Sequence, residues 1–202
     1  MLGPVLFSIY IRSIPKLLDP LVDSSTQFAD DVSFDTCGES VSVISDTLSR
    51  ALQNLLPWLA SRGLSVNISK TQAMLIQPKG TPSCQLAVST GTFLLTQVPM
   101  KKFLGLIIDD RLSWTHQVDA MLSKTYKKIG ALRRTARALD TQSKRTYYLS
   151  IIQSDLMYGA AAYHHLTSAL EKHRIELACK AGVRAIFNLP PWESASALFK
   201  KL

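Results

Sequence analysis

The chain has 202 residues, 47% of them hydrophobic and 19% charged, enough apolar side chains to bury a sizeable core in one domain or two small ones. No run of eighteen uncharged apolar residues occurs, and Met1 opens onto Leu2-Gly3-Pro4 without the basic segment of a signal peptide, so the expectation is a soluble intracellular protein with no membrane partner. The net charge of +8 is lopsided: residues 1–100 hold six Lys/Arg against seven Asp/Glu, and residues 101–202 hold seventeen against eight.

Gly3-Pro4 followed by Val5, Leu6, Ile9 and Ile11 predicts a helix with proline in its first turn, ending before Pro15 or Pro20. Thr26 to Ala29 and Val32 to Thr36 are short apolar or β-branched runs separated only by Asp30-Asp31, the two-residue spacing of a hairpin with both acids at its tip. Val41, Ile44, Leu48, Leu52, Leu55 and Leu59 follow three- and four-residue steps, an apolar stripe that predicts a helix stopped at Gly63. Strands are expected at Leu64 to Asn67 and Ala73 to Gln77, then near Gln85 to Val88 and Phe103 to Ile108, with a turn at Pro78, Gly80 and Pro82.

Beyond Trp114 the pattern turns helical over 115–138, 141–164 and 168–187, with capping chemistry at Asp140-Thr141 and Thr167-Ser168. The expected organisation is therefore α+β, with an α+β part over 1–112 and an all-helical basic part over 113–202. Lys124, Lys127, Lys128, Arg133, Arg134, Arg137, Lys144 and Arg145 fall in a stretch whose only acid is Asp140. A phosphate backbone is one partner for such a stripe, and a solvated helix face is the other reading. The residues alone leave both open.

Cys37, Cys84 and Cys179 are odd in number and far apart, which excludes a disulfide framework and a zinc site and leaves reduced, mostly buried thiols. The four histidines have no second cluster at metal spacing. Trp58, Trp114 and Trp192 sit in apolar patterns and are expected to pack in the core.

Adjacent acids on a turn between apolar strands can lift carboxylates toward divalent ions, and magnesium favours such hard oxygen ligands together with substrate phosphates. An acidic turn with no function is the competing reading for any isolated Asp-Asp pair. Asp109-Asp110 serves as a control, since it follows an apolar strand with no clean strand after it.

Order along the chain distinguishes Asp30-Asp31. Gly3-Pro4-Val5-Leu6-Phe7-Ser8-Ile9-Tyr10-Ile11, Phe28-Ala29-Asp30-Asp31, Gly63-Leu64-Ser65-Val66-Asn67-Ile68-Ser69-Lys70-Thr71 and Lys102-Phe103-Leu104-Gly105-Leu106-Ile107-Ile108-Asp109 resemble successive palm motifs of the reverse transcriptases of non-LTR retrotransposons. Leu156-Met157-Tyr158-Gly159 and Ala178 to Pro190 are similar to the helical region that follows the palm there. The resemblance implies a partial polymerase palm of antiparallel strands with helices, then a thumb-like helical region.

It also implies roles. Asp30 matches the metal-binding acid of the F/Y-x-D-D box and Asp31 its neighbour, with Mg2+ as cofactor and an RNA template and DNA primer as partners. Lys70 matches a lysine near the incoming triphosphate, where it neutralises or protonates the leaving pyrophosphate; its competing reading is a solvated turn lysine. Phe103, Leu104 and Gly105 match the hairpin at the primer end, against a core strand with a packing glycine.

Two-metal phosphoryl transfer uses carboxylates from two palm strands. The family's fingers and the strand with its other metal-binding aspartate have no counterpart in these 202 residues, and Asp23 and Asp19 lie in a loop-like stretch. The expectation is a polymerase-derived fragment that is inactive alone. The alternative is a non-enzymatic nucleic-acid-binding module built on the basic helices, with Lys124, Lys127, Lys128, Arg133, Arg134 and Arg137 as its contacts; a third reading is that these helices only pack on one another.

Overall fold

The chain divides between Pro99 and Met100 into two units in the computed structural model, which describes residues 2–190 and 192–195. The end of the expected helical region, residues 196–202, lies outside the described residues. The architecture is α+β: helices dominate and the strands form three separate two-stranded sheets.

In the first unit, α1 (Gly3–Ile11) has Pro4 in its first turn, and α2 (Ile14–Leu18) follows after a two-residue break. β1 (Ser24–Phe28) and β2 (Asp31–Asp35) form an antiparallel hairpin. α3 (Val41–Ser61) begins at Ser40, whose hydroxyl accepts the Val43 N–H, and Gly63 follows it in a left-handed conformation. Capping and a terminal glycine set both ends of this helix.

α3 organises two cores. Ala51, Leu55, Trp58 and Leu59 pack with Ile11, Ile14, Leu18 and Val22, and also meet Val32 and Phe34 of the hairpin. Leu52, with Val41, Ile44 and Leu48 beside it, packs with Ala73, Leu75, Leu86, Val88 and Leu95.

The strands expected at 64–67 and 85–88 do not form, and the one at 73–77 shrinks to β3 (Gln72–Ala73), which pairs in parallel with β4 (Thr96–Gln97). The cause is competition for backbone groups by side chains. Asn67 draws the following residues into a turn, while Ala87 N–H donates to Ser45 Oγ, Ser89 N–H to Ser49 Oγ and Leu86 N–H to Gln97 Oε1. Leu86 and Val88 are buried, so the apolar signal there reports burial against α3.

The second unit opens with a hairpin where a single β run was expected: β5 (Met100–Phe103) pairs antiparallel with β6 (Leu106–Asp109) across Leu104-Gly105. The hairpin belongs with the helices, because Leu106 and Ile108 pack on their core and Ile107 N–H donates to Gln117 Oε1 at 2.9 Å. The division at residue 99 thus falls upstream of the boundary expected at 112.

α4 (Thr115–Thr135) is followed by α5 (Thr141–Tyr147), a π-helical segment (Tyr148–Gln153) and α6 (Ser154–Met157), then α7 (Ala160–Tyr163) and α8 (Ala169–Ile186). Asp140 and Ser168 cap α5 and α8 as expected, accepting from Ser143 and Glu171 N–H. The helix expected over 141–164 is interrupted where Tyr158 turns extended and Gly159 turns left-handed. Among the described residues no helix is long and apolar enough to cross a membrane.

Two packing expectations need correction. Cys37 and Cys84 are exposed and Cys179 is half-buried, so the thiols are not mostly core groups. Trp114 is buried against Tyr163 and Trp58 is half-buried under the Arg62 guanidinium, but Trp192 is 85% exposed, beyond the last helix.

Candidate functional site

The β1–β2 hairpin closes between Phe28 and Asp31, so the turn residues are Ala29 and Asp30, and Asp31 is already the first residue of β2. Asp30 alone sits at the tip, one position earlier than the Asp30-Asp31 turn expected from the sequence. Ala29 takes a positive φ of 52°, the conformation two-residue hairpin turns require at their first position. Alternation along the strands sends Val32 and Phe34 to the core and leaves Phe28, Asp31, Ser33 and Asp35 on the opposite face. Asp30 and Asp31 are both exposed, and among the described residues neither carboxylate has a hydrogen-bond or ion-pair partner.

Asp23 and Asp35 lie at the other end of the hairpin, roughly 17 Å from Asp30 at the rise of an extended strand, and Asp19 lies beside Ser25 of β1. Two of them are engaged there: Asp23 Oδ2 accepts the Cys37 N–H at 2.5 Å, and Asp19 Oδ1 accepts the Ser25 hydroxyl at 2.8 Å. Among the described residues no group of three or more His, Cys, Asp or Glu is placed to hold a metal ion. Two adjacent carboxylates would supply only part of the oxygen shell of a magnesium ion, and among the described residues no group of acids completes a two-metal centre around them.

Lys70 is carried on a turn that Asn67 builds. The Asn67 side chain accepts the Ser69 hydroxyl at 2.7 Å and the Lys70 N–H at 3.3 Å, and its carbonyl accepts the Thr71 hydroxyl at 2.9 Å. This bonding is the local reason for the Asn-x-x-Lys-Thr spacing, and it leaves Lys70 on an exposed turn.

In the second unit Phe103, Leu104 and Gly105 form the end of the β5–β6 hairpin, with positive φ at both turn residues, 44° at Leu104 and 88° at Gly105. Lys102 is exposed beside them. Lys124, Lys127, Arg133, Arg134 and Arg137 are exposed on and just beyond α4, whose other face, Val118, Met121, Leu122, Thr125, Ile129 and Leu132, is buried.

Lys128 departs from that stripe. Its Nζ lies 2.5 Å from Asp155 and donates to the Ile151 carbonyl, tying α4 to the segment before Tyr158. Lys144 is buried. Lys128 keeps 35% of its side chain exposed beside that pair.

The sequence reading missed two features. Asp109 is a buried carboxylate that accepts N–H bonds from Arg111, Ser113 and Trp114 and the Ser113 hydroxyl, at 3.0–3.2 Å, fixing the turn into α4. Burial works to raise its pKa, but the bonds from Ser113, Arg111 and Trp114 outweigh it and hold the carboxyl below its ordinary value. The second is Tyr158, whose hydroxyl donates to the Leu104 carbonyl at 2.7 Å. The Tyr-Gly dipeptide at a break in a helical pattern was its visible signal.

No protein-family model matches the chain, and no solved structure does. Two curated relatives do. A probable RNA-directed DNA polymerase from transposon BS of Drosophila melanogaster is 22% identical over 210 aligned positions, covering all of this chain and 23% of the relative. A retrovirus-related Pol polyprotein from type-1 retrotransposable element R1 of Nasonia vitripennis is 21% identical over 169 positions, covering 80% of this chain and 50% of the relative. The chain thus spans about a quarter of one relative and half of the other. With these two similarities, the resemblance to reverse transcriptases of non-LTR retrotransposons holds for this chain.

Proposed function

We propose that the chain is a piece of an RNA-directed DNA polymerase of the non-LTR retrotransposon type, with palm-derived residues over 1–112 and thumb-like helices over 113–202, and that it does not extend a primer by itself. In this reading Asp30, with Asp31, offers carboxylate oxygens to a magnesium ion, and Lys70 faces the triphosphate of the incoming nucleotide. Phe103, Leu104 and Gly105 meet the primer end of an RNA–DNA hybrid. Lys124, Lys127, Arg133, Arg134 and Arg137 meet phosphates, each contact releasing counterions.

The observation that carries the reading is the state of Asp30 and Asp31: two exposed carboxylates at a hairpin end, with no partner among the described residues. Nothing structural is asked of them, as expected of groups whose partners are a metal and a substrate. The inactivity follows from the same site, since in-line displacement between two ions needs carboxylates from a second strand to hold both.

The test is magnesium-dependent extension of a DNA primer on an RNA template, comparing this chain with its Asp30→Asn, Asp31→Asn double variant. The expected result is no extension by either. Extension by the unaltered chain and not by the double variant would mean that another carboxylate completes the site, and would overturn the inactivity.

A further inference from the structure

We propose that Tyr158 is a positioning residue: its hydroxyl holds the Leu104-Gly105 turn in the left-handed shape in which the β5–β6 hairpin meets a primer end. The inference rests on the reading of that hairpin as a nucleic-acid contact.

Two-residue turns with positive φ at both positions favour Asn-Gly, because asparagine and glycine enter the left-handed region easily. Here the first position is leucine at φ 44°, whose Cβ disfavours that region. The turn needs support from elsewhere, and Tyr158 supplies it from 54 residues along the chain by donating to the Leu104 carbonyl at 2.7 Å. Gly105 is required twice over. Its φ of 88° suits glycine, and a Cβ there would lie 2.9 Å from the Tyr158 hydroxyl oxygen and 3.1 Å from Cε1.

The next residue continues the clasp. Gly159, at φ 65°, lies against Leu106, and a Cβ on it would stand 2.7 Å and 2.8 Å from the Leu106 methyl groups. Tyr158-Gly159 therefore seats on residues 104–106, the turn and the first residue of β6. The segment that presents them is itself anchored, because Asp155 is paired with Lys128 of α4. Lys128, half-buried at the edge of the exposed stripe, acts here as part of the support for Tyr158.

The Tyr158 side of this contact is accessible to water, with the residue 56% exposed, and its hydroxyl is no part of the buried core. Removing the hydroxyl therefore loosens the turn while leaving the core intact. Strained turns held by distant groups occur where a backbone must keep one shape to meet a ligand.

The experiment uses the full chain and a fluorescein-labelled DNA primer on an RNA template with a recessed 3′ end, read by anisotropy at low salt, with a blunt hybrid of equal length as comparison. Tyr158→Phe removes only the hydroxyl, and it is expected to weaken recessed-end binding about threefold to tenfold, the scale of one lost hydrogen bond, while thermal unfolding stays close to that of the unaltered chain. Leu104→Asn, a substitution inside the contact hairpin that installs the favoured Asn-Gly turn, sets its own reference for binding, and on that background Tyr158→Phe is expected to change binding little. Lys102→Ala tests the underlying reading, since it removes an exposed charge of the hairpin without touching the turn.

Weakening by Lys102→Ala with no effect of Tyr158→Phe would overturn the positioning role and leave the hairpin reading standing. Weakening by Tyr158→Phe of the same size with and without Leu104→Asn would mean that the hydroxyl touches the nucleic acid directly, and would also overturn it. No effect of Lys102→Ala would remove the hairpin reading, and this inference with it.

Discussion

The chain contains two Asp-Asp pairs, each next to a β-hairpin, and the fold treats them in opposite ways. Asp109 ends β6 and turns inward, where it gathers three backbone N–H groups and a hydroxyl to fix the turn into α4. Asp30 and Asp31 stand exposed at the end of the β1–β2 hairpin, with no partner among the described residues. A buried carboxylate must be satisfied internally or it destabilises the fold, whereas an exposed one at a turn is free to serve a ligand. The dipeptide does not separate these cases; its bonding does.

The largest consequence of that contrast is in stability. Asp109→Ala leaves three N–H groups at the start of α4 without their acceptor and is expected to cost about 3 kcal/mol, read by urea unfolding. The same carboxylate gives an acid limb to the unfolding curve. Its folded pKa is below the ordinary 3.8, so its contribution is fully present above the unfolded value and is lost as pH falls through the folded one. Asp109→Asn is expected to lack that limb. At the other pair the effect is the smallest: Asp30→Asn with Asp31→Asn is expected to change stability by less than about 0.5 kcal/mol. A larger loss there would mean that the pair is structural after all.

The contrast also marks what the sequence made legible. The stripe from Val41 to Leu59 and the caps at Asp140 and Ser168 depend on nearest neighbours along a helix, and these elements form as expected. The 24–35 hairpin was legible for the same local reason, though its turn sits one residue earlier, at Ala29-Asp30, with Ala29 at a positive φ. Residues 85–88 carry an apolar alternation that looks like a strand, but their N–H groups are taken by Ser45 and Gln97 side chains, partners that no local pattern reveals.

The β5–β6 turn was hidden in a similar way. Leu104 has none of the usual turn chemistry, and the group that holds it is Tyr158. At the candidate site, motif order singled out Asp30, Asp31 and Lys70, and the Asn-x-x-Lys-Thr spacing was visible, although Asn67 was expected to end a strand and instead builds the Lys70 turn. The withdrawal of Lys128 into a pair with Asp155 was not visible, because Asp155 is distant in sequence and lies on another helix.

The most direct test of the central contrast is paramagnetic broadening by Mn2+, followed at the backbone amides of the folded chain. The amides of Phe28 to Val32 are expected to broaden at Mn2+ concentrations that leave Arg111 to Trp114 sharp, and Asp30→Asn with Asp31→Asn should abolish that broadening. Equal broadening at both pairs, or none at the β1–β2 hairpin, would contradict the account of Asp30 and Asp31 as carboxylates reserved for a metal.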